Sequence, residues 1–274
     1  MFDKVIFVDD FHVTENNGGA ELVNAVVQDY LKCEFIKSTQ LTKFTDNNFY
    51  ILGNISLMHP TLLNTVLDKK YIILEHDYKI CASRHPWRYP DNIVPSGERI
   101  NYDLYKNAKA VFVQTSDHLS IFKLNGVEAN FINLESTLWS KKDLSLLREL
   151  KLDLKEHTYA IVESDNWIKN TKGAVEFCKN NNLDYKLIQG GADRKKFLSS
   201  LASLSTLVFF PIARESCCRL VVEARCLNMN VITSKNYGAA LEEWFSKSGD
   251  ELITLLEYNT TRNLSLIEES IYED

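Results

Sequence analysis

The chain has 274 residues, of which 45% are hydrophobic and 25% are charged. These proportions are those of an ordinary globular protein, and the length allows one large domain or two of ordinary size. The formal net charge of −6 gives no indication of a general electrostatic affinity for nucleic acid.

The first half of the chain alternates short apolar runs, rich in β-branched residues, with amphipathic stretches. The pattern predicts strands at 4–9, 49–52, 71–74, 110–114 and 130–133, and helices at 19–31, 60–67, 98–106 and 116–124. Nearly continuous apolar strands are typical of a parallel sheet that helices cover on both faces. Residues 1–140 are therefore predicted to form a Rossmann-like α/β domain.

The second half begins with a charged, Leu-rich stretch that predicts a helix and linker at 141–156. The alternation then restarts, with strands predicted at 159–162, 185–188, 207–210 and 230–233, and helices at 171–181, 193–204, 218–228 and 240–246. Residues 157–248 are predicted to form a second Rossmann-like domain, and 249–274 a helical tail. Because open α/β sheets bind ligands beyond the carboxyl ends of their strands, we expect the loops of two doubly wound domains to face a cleft.

The cysteines and the start of the chain indicate where the protein works. The six cysteines form neither a CxxC pair nor a zinc-finger pattern, and several lie in apolar runs. The first residues do not resemble a signal peptide, and no apolar stretch is long enough to span a bilayer. We therefore expect a cytoplasmic protein without a transmembrane segment.

Two glutamates eight residues apart follow the strand predicted at 207–210. Glu215 precedes the next helix, and Glu223 lies two turns inside it. The two residues are about 80° apart around the helix, so both can address one elongated ligand at different depths. Between them, the N–H groups of Ser216, Cys217 and Cys218 are predicted to form a helix N-terminus suited to a diphosphate.

This segment, followed by a strand and Tyr237-Gly238, resembles the retaining GT-B glycosyltransferases of family 4, in a compact form. The resemblance implies two Rossmann-like domains facing a cleft, and transfer of a sugar from a UDP- or GDP-sugar to an acceptor hydroxyl. It implies that Glu215 contacts the donor sugar, Glu223 the nucleotide ribose, and the amides of 216–218 the phosphates. No cofactor besides the donor is expected to be obligatory.

A glycine pair after the first strand matches the same family. Residues 16–21 read Asn-Asn-Gly-Gly-Ala-Glu, and paired glycines let the backbone approach a ligand closely. The resemblance implies that Gly18 and Gly19 face the donor phosphates and the acceptor. A plain turn is the alternative interpretation.

A histidine follows the strand predicted at 71–74, in a loop where family members often carry a histidine near the transferring sugar. We expect His76 to lie in the catalytic site with Glu215 and to contact the sugar, with no role in proton transfer. The alternative is a loop histidine that is hydrogen-bonded to Asp77.

The loop after the strand predicted at 159–162 departs from the family. There the family commonly has an arginine five residues before a Lys-Gly pair, and both cations hold the diphosphate. Lys172-Gly173 matches the pair, but Trp167 occupies the arginine position. Lys169, Arg214 or Arg219 is left to supply the missing charge.

The acceptor stays open at this point, with a glycan or lipid-linked glycan as the first expectation. The basic and aromatic residues 84–89 support a second possibility, a phage- or virus-type enzyme that glycosylates hydroxymethylated DNA bases. The missing arginine supports a third, a degenerate module that binds nucleotide sugars without turnover. Asp9-Asp10 is a pair of the kind that binds metals, but its position before the glycine loop does not indicate a dedicated metal site.

Overall fold

The computed structural model describes residues 2–16, 18–191, 193–234 and 237–273, and divides the chain into two compact units. Unit 1 comprises Met1–Leu138 and Asn259–Asp274, and unit 2 comprises Trp139–Tyr258. The segment 141–156, predicted as a linker, belongs to unit 2. The predicted tail is divided, because residues up to Tyr258 belong to unit 2 and those from Asn259 to unit 1.

Unit 1 is built on a parallel sheet. Its described residues form strands in the spatial order β2-β1-β3-β4-β5-β6, and each pair is parallel. The strands are β1 (Lys4–Asp9), β2 (Glu34–Lys37), β3 (Asn48–Leu52), β4 (Lys70–Leu74), β5 (Val111–Val113) and β6 (Phe131–Asn133). The helices are α1 (Gly19–Leu31), α2 (Pro60–Asn64), α3 (Tyr102–Asn107) and α4 (Ser116–Leu124).

Both faces of this sheet are buried, because successive side chains of a strand point to opposite faces. In β1, Val8 packs in the same apolar cluster as Phe122 of α4, and Phe7 packs in another with Val27 of α1. Burial on both faces explains the continuous apolar runs that predicted these strands. The prediction missed β2, whose sequence Glu-Phe-Ile-Lys has charged ends and whose side chains are only partly buried.

Unit 2 repeats the architecture with a smaller parallel sheet. Its described strands have the order β10-β9-β7-β8. In chain order the elements are α5 (Lys141–Leu150), β7 (Glu156–Glu163), α6 (Thr171–Asn180), β8 (Tyr185–Gln189), α7 (Arg194–Ala202), β9 (Leu204–Phe209), α8 (Arg219–Cys226), β10 (Asn230–Thr233) and α9 (Gly249–Tyr272).

Two features of the C-terminal part bear on the sequence predictions. The helix predicted at 240–246 is instead two short 3-10 turns, Gly238–Leu241 and Glu243–Ser246. The helical tail is present as α9. Across the described ranges, no helix has the length and apolar character needed to cross a bilayer.

Side chains at the carboxyl end of β1 fill the space beside Gly53, the residue that follows β3. Gly53 N donates to Val8 O at 2.9 Å, and a Cβ at Gly53 would collide with the Asp9 carboxylate and lie 3.1 Å from Asn24 Nδ2. The side chains of Asp9 and Asn24 therefore occupy the space that a larger residue would need.

Gly53→Ala is expected to lower the free energy of unfolding of unit 1 by about 1–3 kcal/mol, because Asp9 must shift. Urea denaturation followed by circular dichroism measures the change. Gly97→Ala is the matched control, since a Cβ there meets nothing within 4 Å, and it should change stability by less than about 0.5 kcal/mol. Equal losses for the two variants would contradict this account.

Candidate active site

The loops that follow β7 and β9 dock on each other, because these strands are neighbours in the parallel sheet of unit 2. Ile212 N donates to Ile168 O at 2.9 Å across the two loops. This contact places Lys169 Nζ 2.6 Å from Glu215 Oε1. The structure thus joins two predicted donor-binding residues that are far apart in sequence.

An asparagine fixes the loop that carries Lys169. Asn170 adopts a left-handed conformation (φ 53°), caps α6 by accepting from Gly173 N at 3.2 Å, and donates to Phe210 O at 3.0 Å. A Cβ at Gly173 would lie 2.5 Å from Asn170 Nδ2, so the cap requires the glycine of the Lys-Gly pair. The Lys172 side chain is exposed and makes no hydrogen bond or ion pair within the described part of the chain.

The backbone around Glu215 is held by the residues after β10. Gly238 N donates to Glu215 O at 2.9 Å, and Ala239 N donates to Cys217 O at 3.3 Å. Lys235 and Asn236, between β10 and Tyr237, lie outside the described residues. These bonds join the glutamate motif to the Tyr237-Gly238 segment.

The helix start differs from the prediction by one residue. Helix α8 begins at Arg219 rather than Cys218, because Cys218 adopts a left-handed conformation (φ 71°) and is the N-cap. The first helical N–H groups are therefore those of Arg219 and the residues after it. That the amides of Ser216, Cys217 and Cys218 bind phosphate stays a prediction.

Burial and the Glu215 carboxylate together set the charge states of Lys169 and Cys218. Burial alone would lower the pKa of Lys169, but the Glu215 carboxylate more than offsets this effect and the pKa is raised. Burial, together with Glu215, raises the pKa of the Cys218 thiol well above its ordinary value. At neutral pH Lys169 is thus charged and Cys218 is a neutral thiol rather than a nucleophile.

Glu223 lies in a buried network of charges that the sequence did not predict. Arg194 Nη2 donates to Glu223 Oε1 at 2.8 Å, and Arg219 Nε lies 3.6 Å from the same oxygen. Asp143 accepts from Arg194 Nε at 2.8 Å and from Arg219 Nη2 at 3.3 Å. Arg194 is the first residue of α7, the helix that follows β8, so its position beyond the carboxyl end of a strand was the available signal.

Arg219 has a structural role in this network. Its guanidinium is buried, lies 3.9 Å from the centroid of the Trp139 ring, and donates to Asp143. The Arg219 guanidinium therefore already contacts an aromatic ring and a carboxylate. That Arg219 also binds the donor stays a prediction.

In unit 1, His76 is the centre of a chain of hydrogen bonds at the carboxyl ends of the strands. Its Nε2 lies 2.6 Å from Asn24 Oδ1, and its Nδ1 lies 3.1 Å from Gln114 Nε2. Asn24 Nδ2 in turn donates to Asp9 Oδ2 at 2.6 Å. The network assigns the ring proton to Nε2. Burial, assisted by Lys79, lowers the pKa of His76 to about 3, so the ring is neutral at pH 7.

The Asp9-Asp10 pair is turned toward groups of the chain itself. Asp9 accepts from Asn54 N at 2.8 Å, and burial raises its pKa to about 6. Asp10 accepts from Ser56 N at 2.9 Å and from the Ser38 hydroxyl. Among the described residues, no group of three or more His, Cys, Asp or Glu side chains could hold a metal ion.

Contacts within the chain explain why the first residue of the Gly18-Gly19 pair is a glycine. Gly18 is the N-cap of α1 with an extended backbone, and a Cβ there would collide with the Glu21 carboxylate. Asn16 Nδ2 donates to Glu21 Oε1 at 3.0 Å and holds it in place. Gly19 opens α1, and Asn17 lies outside the described residues. The contact of this loop with phosphates stays a prediction.

The basic and aromatic segment 84–89 is held by contacts within unit 1. Arg84 pairs with Asp77 and donates to Ser56 Oγ at 2.5 Å, and the Arg88 guanidinium lies 5.7 Å from the Trp87 ring centroid. Arg84 also lines a cavity of about 390 Å³ in unit 1, with lining residues that are mainly apolar.

Several solved structures have a fold similar to that of this chain. Alr3699/HepE from Anabaena, in complex with UDP, matches with a TM-score of 0.54 and 14% identity over 98% of this chain and 92% of that one. The chain has the GT-B fold. The trehalose-6-phosphate synthase OtsA matches with a TM-score of 0.59 and 7% identity over 99% and 92% of the two chains.

A UDP-forming trehalose-phosphate synthase from Burkholderia xenovorans also has this GT-B fold, with a TM-score of 0.54 and 8% identity over 92% and 78% of the two chains. The predicted fold class is therefore confirmed. No protein-family model and no curated protein sequence matches the chain, so membership of family 4 in particular stays a prediction.

Acidification should destabilise unit 1 through His76. Because its pKa is about 3 when folded and 6.5 when unfolded, the unfolded chain binds an extra proton between these values, and stability falls as pH falls. We expect the protonation of His76 to lower the free energy of unfolding by about 2 kcal/mol between pH 7 and pH 5. His76→Gln should remove this part of the pH dependence. Urea unfolding at both pH values measures it.

Asp9 contributes to the pH dependence in the opposite direction. Because its pKa is raised to about 6, it stabilises the folded state as the pH falls through that value. Asp9 is present in both the parent protein and His76→Gln, so its contribution cancels in the comparison. The control is His157→Gln, which removes a histidine at an exposed position instead of the buried one. If His76→Gln loses as much stability as the parent protein between pH 7 and pH 5, the assignment of His76 is wrong.

Proposed function

We propose that the protein is a glycosyltransferase that moves a sugar from a nucleotide-diphosphate sugar to an acceptor hydroxyl. One observation carries the proposal: the Lys169–Glu215 pair lies at the start of α8 in a GT-B fold, with Glu223 further along the same helix. A cation, a carboxylate and a helix N-terminus together suit a sugar linked to a diphosphate.

UDP-sugars are the first choice of donor. Alr3699/HepE forms complexes with UDP and with UDP-glucose, and the similar synthase from Burkholderia xenovorans is UDP-forming. GDP-sugars remain the second choice that the sequence allowed. The transferred sugar is left open between a hexose and a pentose.

In the proposed reaction, Glu215 binds hydroxyls of the donor sugar, while Lys169 and Lys172 stabilise the negative charge of the leaving diphosphate. The bond between the anomeric carbon and the diphosphate oxygen breaks, and a bond to the acceptor oxygen forms. The leaving diphosphate takes up the proton of the acceptor hydroxyl. The protein supplies no nucleophile, and the configuration at the anomeric carbon is retained.

The remaining site assignments belong to the same proposal. Glu223 binds the nucleotide ribose, and the amides of 216–218 bind the phosphates. Gly18 and Gly19 are assigned to the phosphates, and His76 is assigned to the sugar with no role in proton transfer.

A glycan or lipid-linked glycan is the proposed acceptor. The DNA alternative relied on residues 84–89, but Arg84 is paired with Asp77 and Arg88 lies over Trp87. Arg84 thus already has a carboxylate partner, and the net charge of −6 opposes a general affinity for DNA.

A second candidate function is nucleotide-sugar binding without turnover. The observation that favours it is Trp167, which is 56% exposed at the position where the family has a phosphate-binding arginine. An indole carries no charge, so one of the two expected cations is missing there.

UDP-glucose should raise the melting temperature of the protein and be hydrolysed slowly in the absence of acceptor. Glu215→Gln should reduce turnover at least about 100-fold while the protein stays folded, because it weakens the contacts to the reacting sugar. Thermal shift and release of UDP measure the two effects.

Glu176→Gln, which changes an exposed glutamate on α6, is the matched control and should retain full turnover. Binding without any turnover in the parent protein would select the second candidate function. Absence of binding by both UDP- and GDP-sugars would contradict the proposal itself.

Trp167→Arg should tighten UDP binding about 3- to 10-fold, because it restores a cation beside the diphosphate. Binding of uridine, which has no phosphate, should be unchanged. Isothermal titration calorimetry measures both affinities. Trp167→Gln removes the ring without adding charge and should show no gain; a similar gain for both variants would show that charge is not the cause.

A further inference from the structure

The two carboxylate oxygens of Glu223 have different surroundings. Oε1 accepts from Arg194 at 2.8 Å and lies 3.6 Å from Arg219 Nε, whereas Oε2 has no hydrogen-bond partner among the described residues. The side chain is only 4% exposed. A carboxylate this buried is normally paired through both oxygens, so the open Oε2 is suited to a hydroxyl donor.

Arg194 is itself held in one orientation. Its Nε donates to Asp143 Oδ1 at 2.8 Å while its Nη2 donates to Glu223. Asp143 is fixed by its helix cap, because Ser140 Oγ donates to Asp143 Oδ2 at 2.9 Å. A planar guanidinium that bridges two carboxylates defines the position of both.

The charges of this network balance without a ligand. Burial alone would lower the pKa of Arg194, but Glu223 and Asp143 more than offset this effect and raise it, so the residue stays charged at every practical pH. Two arginines face two carboxylates, so Glu223 needs no external cation. A neutral hydrogen-bond donor fits its free oxygen better than a second cation does.

We infer that Arg194 is a positioning residue that makes Glu223 selective for the ribose diol of the donor nucleotide. Arg194 occupies Oε1 and so directs Oε2 to the 2′- and 3′-hydroxyls, which are neutral donors. This inference rests on the proposed function and adds a residue that acts through Glu223 without touching the donor. It predicts discrimination between ribonucleotides and nucleotides that lack both hydroxyls.

The test is the ratio of affinities for UDP and 2′,3′-dideoxy-UDP, with GDP and its dideoxy analogue measured in parallel. The parent protein should prefer the ribonucleotide about 10- to 100-fold, as expected for hydrogen bonds to a charged group. Arg194→Met, which keeps much of the side-chain volume but no donor, should reduce the ratio to less than about 3-fold. Arg194→Lys should give an intermediate ratio.

Lys195→Met is the matched control, because Lys195 is the next residue and forms an exposed pair with Glu149 at 2.7 Å. It should keep the parent ratio. The ratio compares two ligands on one preparation, so a fraction of misfolded protein does not change it.

If Arg194→Met keeps the parent ratio, Arg194 does not position Glu223 and the inference is overturned. If the variant binds UDP more tightly than the parent, Arg194 obstructs the ribose and the inference is likewise overturned. If the parent binds UDP but not preferentially over its dideoxy analogue, the ribose contact itself fails. If the parent binds neither UDP nor GDP, the proposed function fails, and the inference with it.

Discussion

The ion pair between Lys169 and Glu215 is the interaction on which the candidate site depends. Its two residues lie on loops that follow neighbouring parallel strands, and the backbone bond from Ile212 to Ile168 holds those loops together. A parallel sheet places successive strand ends at one edge, so residues 46 positions apart in sequence become partners. The pair gives the Glu215 carboxylate a cationic partner in front of α8.

The same physical requirement, that buried charges be paired, shapes both units. In unit 2, Arg194 and Arg219 meet Asp143 and Glu223 within one network. In unit 1, polar side chains behind the strand ends bond to one another, and Glu75 accepts from Lys79 and Tyr105. Such networks fix the orientation of side chains before any ligand arrives, which is the condition for selective binding.

The sequence predicted the fold well where burial on two faces leaves a continuous apolar run. The sequence-based prediction missed β2, because a partly buried edge strand with charged ends has no such run. It also placed the start of α8 one residue too early, because Cys218 takes a left-handed conformation. The glutamate spacing predicted Glu215 and Glu223 as site residues, which stays a prediction, and it contained no information about their partners. Arg194 and Asp143 lie on different helices, and only the folded chain brings them into one network with Glu223.

The most direct test of the central claim is a crystal structure of the protein with UDP bound. Transfer from a donor held at the start of α8 requires a phosphate oxygen within about 3 Å of Lys169 Nζ, where the ammonium forms a charged hydrogen bond. The account predicts that contact, with the diphosphate next to α8. A structure in which UDP binds elsewhere, while Lys169 keeps Glu215 as its sole partner, would contradict it.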